Sequence, residues 1–152
     1  MIYRLVLLLS AISFLAACGG GGGGVQPTVY PAISLSTSTS SLAENSGTTV
    51  TLTVTASKIS DEDITVTLST SGTATDGTDY SAVNGSSLTI TAGTTTATKT
   101  FTATDNSIYE GNETVIVAIS TVSGGSATEN GTQTETITIT ENESAPVITL
   151  AT

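Results

Sequence analysis

Histidine and tryptophan are absent from this chain of 152 residues, which holds one cysteine, two phenylalanines, and 3 Lys+Arg against 13 Asp+Glu. Each shortage closes off a class of function. Without His there is no imidazole to pair with a Ser, Thr or Cys nucleophile. A glycan-acting enzyme working through paired carboxylates would lack an aromatic platform for sugar, since Trp is 0 and Phe is 2. The formal net charge of −10 argues against nucleic acid, whose binders cluster Lys and Arg on one face. A lone Cys cannot close an internal disulfide. The long hydrophobic runs of a membrane-spanning helix are also lacking, because the longest apolar stretch is short and lies at the N-terminus.

That stretch reads as a targeting segment. Arg4 supplies a positive start, Leu5 to Leu15 are apolar apart from Ser10 and Ser13, and the segment ends Leu15-Ala16-Ala17-Cys18. The ending resembles the lipobox of bacterial lipoproteins, in which the Cys becomes the first residue of the mature protein and carries lipid. The resemblance implies a signal peptide at 1–17, lipidation at Cys18 and attachment to a membrane in the bacterial cell envelope. With Gly19 rather than Asp following, it favours the outer membrane. Gly19 to Gly24 then begin a tether over 18–28, whose r.m.s. reach is roughly 18 Å for a Gly-rich coil. Removing 1–17 takes Arg4 with it and leaves Lys58 and Lys99 against all 13 acids.

Beyond the tether the pattern has period two. Val50, Leu52, Val54 and Ala56 alternate with Thr, as do Ile64, Val66 and Leu68, then Ala97 to Ala103, then Ile137 and Ile139. Apolar-in, Thr-out alternation is what a half-buried antiparallel strand requires, and Thr is β-branched enough to favour it. With further strands over 32–37, 87–91 and 113–120, the chain predicts an all-β fold, an antiparallel sandwich of about seven strands in one domain over 29–144. Turn-rich connections are expected at 57–63, 71–84, 92–93, 105–112 and 123–131.

If consecutive strands run antiparallel, alternate loops share an end of the sandwich. One end then collects Glu44, Asp76, Asp79, Asp105, Glu110, Glu113, Glu141 and Glu143, eight of the 13 acids. Two bare carboxylates ~4 Å apart repel by about 4 kcal/mol at an effective dielectric near 20. Such a group either splays into water or holds a hard cation through its oxygens, as Ca²⁺ sites do.

Further along, the residues resemble a known family. Leu42-Ala43-Glu44-Asn45, Gly72-Thr73-Ala74-Thr75, Gly77-Thr78-Asp79-Tyr80, Ile90-Thr91-Ala92-Gly93, Asp105 with Glu110-Gly111-Asn112-Glu113, and Thr138-Ile139-Thr140-Glu141 together resemble the Calx-beta domain over about 30–144. The resemblance implies a seven-strand immunoglobulin-like sandwich with Ca²⁺ held at one tip. It implies as ligands Glu44, Asp79, Asp105, Glu110, Glu113, Glu141 and Glu143, with affinity in the weak extracellular range of ~10⁻⁴–10⁻³ M. Asn106 stands where the family has a second Asp, and Glu141-Asn142-Glu143 replaces a terminal Asp run. Tyr80 is expected to pack beneath the tip rather than to ligate.

Pro146-Val147-Ile148-Thr149-Leu150-Ala151 repeats Pro31-Ala32-Ile33-Ser34-Leu35-Ser36, so 145–152 reads as the first strand of a second repeat or as a disordered tail. The leading functional expectation is a lipid-anchored, non-catalytic, calcium-binding module for adhesion or surface architecture, meeting a cell-surface protein or a glycan. The alternative is a metal-free spacer with a solvated acidic tip; a glycan-acting enzyme ranks third. Partner identity and oligomeric state leave no mark in the sequence.

Overall fold

The computed structural model describes residues 29–151. The expected signal peptide at 1–17, Cys18 and the expected tether over 18–28 lie outside the described residues. Among the described residues, no helix is long and apolar enough to cross a membrane.

Among the described residues nine strands form two packed sheets: β1 (Ala32–Thr37), β2 (Ser41–Ala43), β3 (Thr49–Ala56), β4 (Ile64–Gly72), β5 (Ser87–Ile90), β6 (Thr96–Thr102), β7 (Glu113–Ser123), β8 (Thr128–Glu129) and β9 (Thr134–Thr140). One sheet has the order β6-β3-β1-β8 and the other β2-β9-β7-β4-β5. The seven longer strands are those read from the alternation. Every pairing among them is antiparallel, which upholds the premise behind assigning loops to ends. The two additions are short and run parallel to their partners, β2 on β9 and β8 on β1.

The alternation becomes packing directly. Val50, Leu52, Val54 and Ala56 of β3 face Val66, Leu68, Val115, Val117 and Ile137 of the opposite sheet in one buried core, while the intervening Thr side chains stay half-exposed. Fully burying one such aliphatic side chain stabilises the fold by about 1.5–3 kcal/mol. Tyr80 and Phe101 are the largest buried side chains. Their ring centroids lie 5.5 Å apart at 59°, a tilted arrangement that aromatic quadrupoles favour.

Several boundaries differ from the sequence-based expectation, three of them with a clear cause. Strand β7 runs on from Ser120 to Ser123, because a bulge opposite Thr67 and Leu68 absorbs one residue. Beyond it the half-buried apolar residue is Val122 rather than Thr121, so a strict period-two reading stops too early. Strand β4 continues through Gly72, paired with Val115, although its last residues are exposed and polar; ladder hydrogen bonds need no apolar side chain. Within 123–131, Thr128 and Glu129 pair with Ala32 and Ile33.

Past β9 the chain has no regular secondary structure, and Val147, Ile148 and Leu150 are 86%, 94% and 92% exposed. These residues carry the alternation of β1 without its partners.

Candidate metal centre

The carboxylate end is assembled by strand ends from both sheets. Leu42 and Ala43 of β2 pair with Ile139 and Thr140 of β9, so the chain leaves both strands side by side. This sets Glu44, which opens a 3₁₀ turn, beside Glu141 and Glu143. Glu113 begins β7 opposite Ile139. Asp79 arrives on the loop after β4, which is moored by Ala74 N donating to Thr114 O at 3.1 Å and by Thr114 N donating to Thr73 Oγ1 at 2.9 Å. The next residue, Tyr80, is driven into the core, and that burial holds Asp79 at the rim.

Two groups of three carboxylates result. Glu44, Glu141 and Glu143 form one, and Asp79, Glu110 and Glu113 the other; within each group one oxygen per residue lies within 4.8 Å of the others. Six of the seven acids implied as ligands thus converge. Asp105 belongs to neither group, yet it is near enough that its charge raises the pKa of both Glu44 and Glu143. Asp76 shares the loop but is occupied elsewhere, accepting from Val83 N at 2.8 Å and Asn84 N at 3.2 Å. At the far end of the sandwich, Lys58 shares a shallow groove of about 410 Å³ with Ile59, Asp61 and Glu62, away from the carboxylates.

The groups differ in how each charge is handled. Glu141 is held by backbone N–H groups: Oε2 accepts from Glu110 at 2.6 Å and Gly111 at 2.8 Å, and Oε1 from Asn142 at 2.9 Å and Glu143 at 3.1 Å. Donation from Glu110 leads in lowering its pKa to about 2. Glu44 is only 7% exposed; burial first, then Glu141, Glu143, Glu110 and Asp105, raise its pKa to about 7. Glu113 is raised by burial and by Asp79, whose own Oδ2 accepts from Thr75 N at 2.6 Å. Glu143 is raised chiefly by the adjoining carboxylate of Glu141, and then by burial.

One atom is left over. Oε2 of Glu143 is buried without a hydrogen-bond partner, an unfavourable arrangement for a carboxylate oxygen. An orphaned carboxylate oxygen, inside an all-oxygen set with little compensating positive charge, fits a hard divalent cation.

A dependence on pH follows for the metal-free protein. The Glu44 pKa is higher folded than unfolded, so its favourable contribution is complete below about 4.5 and is lost as pH rises through about 7. Glu113 and Glu143 are shifted in the same direction. Glu141 opposes them: its contribution is present above about 4.5 and is lost as pH falls toward about 2. In chelator the melting temperature should therefore climb from pH 8 to pH 5 and drop again below pH 4. Glu44→Gln should flatten the upper limb. A wild-type profile flat between pH 5 and pH 8 would contradict this account of the tip.

Asn106 does something that sequence reading missed. From its position it offered a neutral carbonyl ligand. Instead its Nδ2 donates to Glu44 Oε1 at 3.2 Å and Glu110 Oε2 at 2.9 Å, while its Oδ1 accepts from Ile108 N at 2.7 Å. Asn112, which stands in the motif without a role of its own, also binds within the tip: its Oδ1 accepts from Glu141 N at 3.0 Å. No spacing rule signals either role, since both depend on where the 105–112 loop folds back.

The comparisons with known proteins agree with this architecture. Among solved structures, the apo form of the Calx CBD1 domain is 20% identical with a TM-score of 0.55, covering 74% of this chain and 98% of that one. CBD12 from CALX1.2 is 21% identical with a TM-score of 0.56, covering 66% of this chain, which spans only 40% of CBD12. CBD12 of CALX1.1, described as a calcium binding domain, is 21% identical with a TM-score of 0.55, covering 65% of this chain and 41% of that one. At these identities the likeness is one of fold. No curated protein matches the chain. Residues 28–143 match the Calx-beta domain, three-quarters of the sequence including every strand and every acid at the tip, and the chain belongs to the Calx-beta domain family.

Proposed function

We propose that this Calx-beta domain is a calcium-binding module of a bacterial cell envelope, tethered through a lipidated Cys18 and serving adhesion or surface architecture without catalysis. The observation that carries the calcium reading is the meeting of six carboxylates in two groups of three, one of them with a buried, unpartnered oxygen. The shared fold with a domain described as calcium binding adds support. Glu44, Glu141 and Glu143 would hold one ion, and Asp79, Glu110 and Glu113 a second.

Bound calcium supplies the positive charge that these groups lack. The residues supply the rest: Glu141 is pre-oriented by four N–H donors, Asp79 is held by Thr75 N, and Glu44 is held by the β2–β9 pairing. Because the ligands belong to separate segments, one ion would tie the end of β2 to the exit of β9, and the other the Asp79 loop to the 105–112 loop and β7. That would stiffen the end of the domain facing away from the tether.

A metal-free spacer is the second reading, and the amide of Asn106 between Glu44 and Glu110 favours it. A calorimetric calcium titration against a chelator control separates the two. Heat saturating at sub-millimolar to millimolar calcium is expected from the first, and a featureless titration would leave the spacer.

Anchoring is tested separately. Cys18→Ser should move the protein from the membrane fraction to the soluble one. Wild-type protein that never incorporates labelled fatty acid would end the lipoprotein reading and leave the calcium reading untouched.

A further inference from the structure

We infer that Asn106 is the affinity-setting residue of this tip, a built-in amide that bridges the two carboxylate groups and must release them when a cation binds. The inference rests on the calcium reading above and deepens it. Glu44 belongs to one group and Glu110 to the other, and Asn106 Nδ2 donates to both, at 3.2 and 2.9 Å. Its two hydrogens thus span the boundary between the groups.

The orientation of the carboxamide is decided from both sides. Ile108 N is a donor and requires the oxygen, while two carboxylate oxygens require the nitrogen. A turned amide would lose all three bonds and set its carbonyl against two negative charges. The carbonyl oxygen is therefore turned toward Ile108 N, and it is the nitrogen that meets the two carboxylates. What Asn106 presents to the acids is partial positive charge, where a cation would present a full one.

Two effects follow. Without metal, the bridge offsets part of the repulsion around Glu44, which also faces Glu141, Glu143 and Asp105. With metal, Glu44 and Glu110 must turn an oxygen from the amide to the ion, so binding starts from a partly satisfied state. The domain exchanges affinity for order in the empty state, which suits a site that fills only when calcium is abundant.

The test uses the domain with and without calcium and two substitutions. Asn106→Asp keeps an oxygen for Ile108 N but removes the bridge and adds charge. It should lower the melting temperature in chelator and tighten calcium binding by about tenfold or more, since affinity in such sites follows ligand charge. Asn106→Ala removes the bridge without adding charge. It should also lower the melting temperature in chelator, and calcium binding should tighten, by less than in Asn106→Asp.

Calcium binding by Asn106→Ala no tighter than wild type would overturn the inference, and weaker binding would make Asn106 a ligand. An Asn106→Asp protein equal to wild type in both readouts would overturn it too, while wild-type binding would keep the calcium reading standing. Wild type and Asn106→Asp both silent to calcium would end the two together. A response gained only in Asn106→Asp would uphold the amide as the element that restrains binding.

Discussion

Calcium at about 100 times its dissociation constant should stabilise the wild-type domain by about 2.7 kcal/mol for each ion bound, the amount expected when a ligand binds only the folded state. The part of the gain that comes from the second ion should vanish in Glu110→Gln with Glu113→Gln, while the part from the Glu44 group remains. Those two residues complete the group around Asp79, and Gln keeps their size while removing their charge. In chelator the sign should reverse or disappear. Glu113 is held above its ordinary pKa by burial and by Asp79, so neutralising it relieves a conflict, and the double variant should melt at or above wild type. Thermal unfolding in chelator and in millimolar calcium measures both. Identical melting temperatures for wild type in the two conditions would leave only the spacer reading.

Gly72→Val should cost at least about 2 kcal/mol, through backbone strain of about 1–3 kcal/mol and a collision. Gly72 ends β4 at φ +116°, where a Cβ would drive into the carbonyl oxygen of Thr114. That carbonyl also accepts from Ala74 N, so the clash displaces the mooring of the loop that carries Asp79. The variant should lose calcium affinity along with stability, because Asp79 would no longer reach Glu113. Gly77→Ala is the control, since Gly77 also has positive φ, +82°, but a Cβ there meets nothing within 4 Å. It should show the strain alone. Denaturant unfolding of the pair isolates the collision, and equal losses in both would remove Thr114 from the explanation.

Much of the domain was legible in the sequence because its signals are local. In a strand the side-chain direction reverses at every residue, so Thr49 to Ala56 declares which face is buried without reference to any other part of the chain. Once strands are counted as antiparallel, loop parity follows. Parity sent Glu44, Asp79, Glu110, Glu113, Glu141 and Glu143 to one end before any packing was known. The turn-rich stretches between alternating segments bounded the same strands within a few residues, and the motif around Asp79-Tyr80 carried the family likeness.

Tertiary structure decided what depends on partners distant in sequence. Ser41–Ala43 carries no alternation long enough to announce a strand, and it becomes one because β9 offers an unpaired edge. That pairing alone brings Glu44 against Glu141 and Glu143. Ser120 is absorbed as a bulge only because β4 and β7 must stay in register on both sides of it. Asn106 faces carboxylates rather than offering its carbonyl because Ile108 N claims the oxygen. Alternation states which face a residue takes. Which neighbour it meets there is set by pairing between distant segments, where each contact must offset the chain entropy lost in forming it.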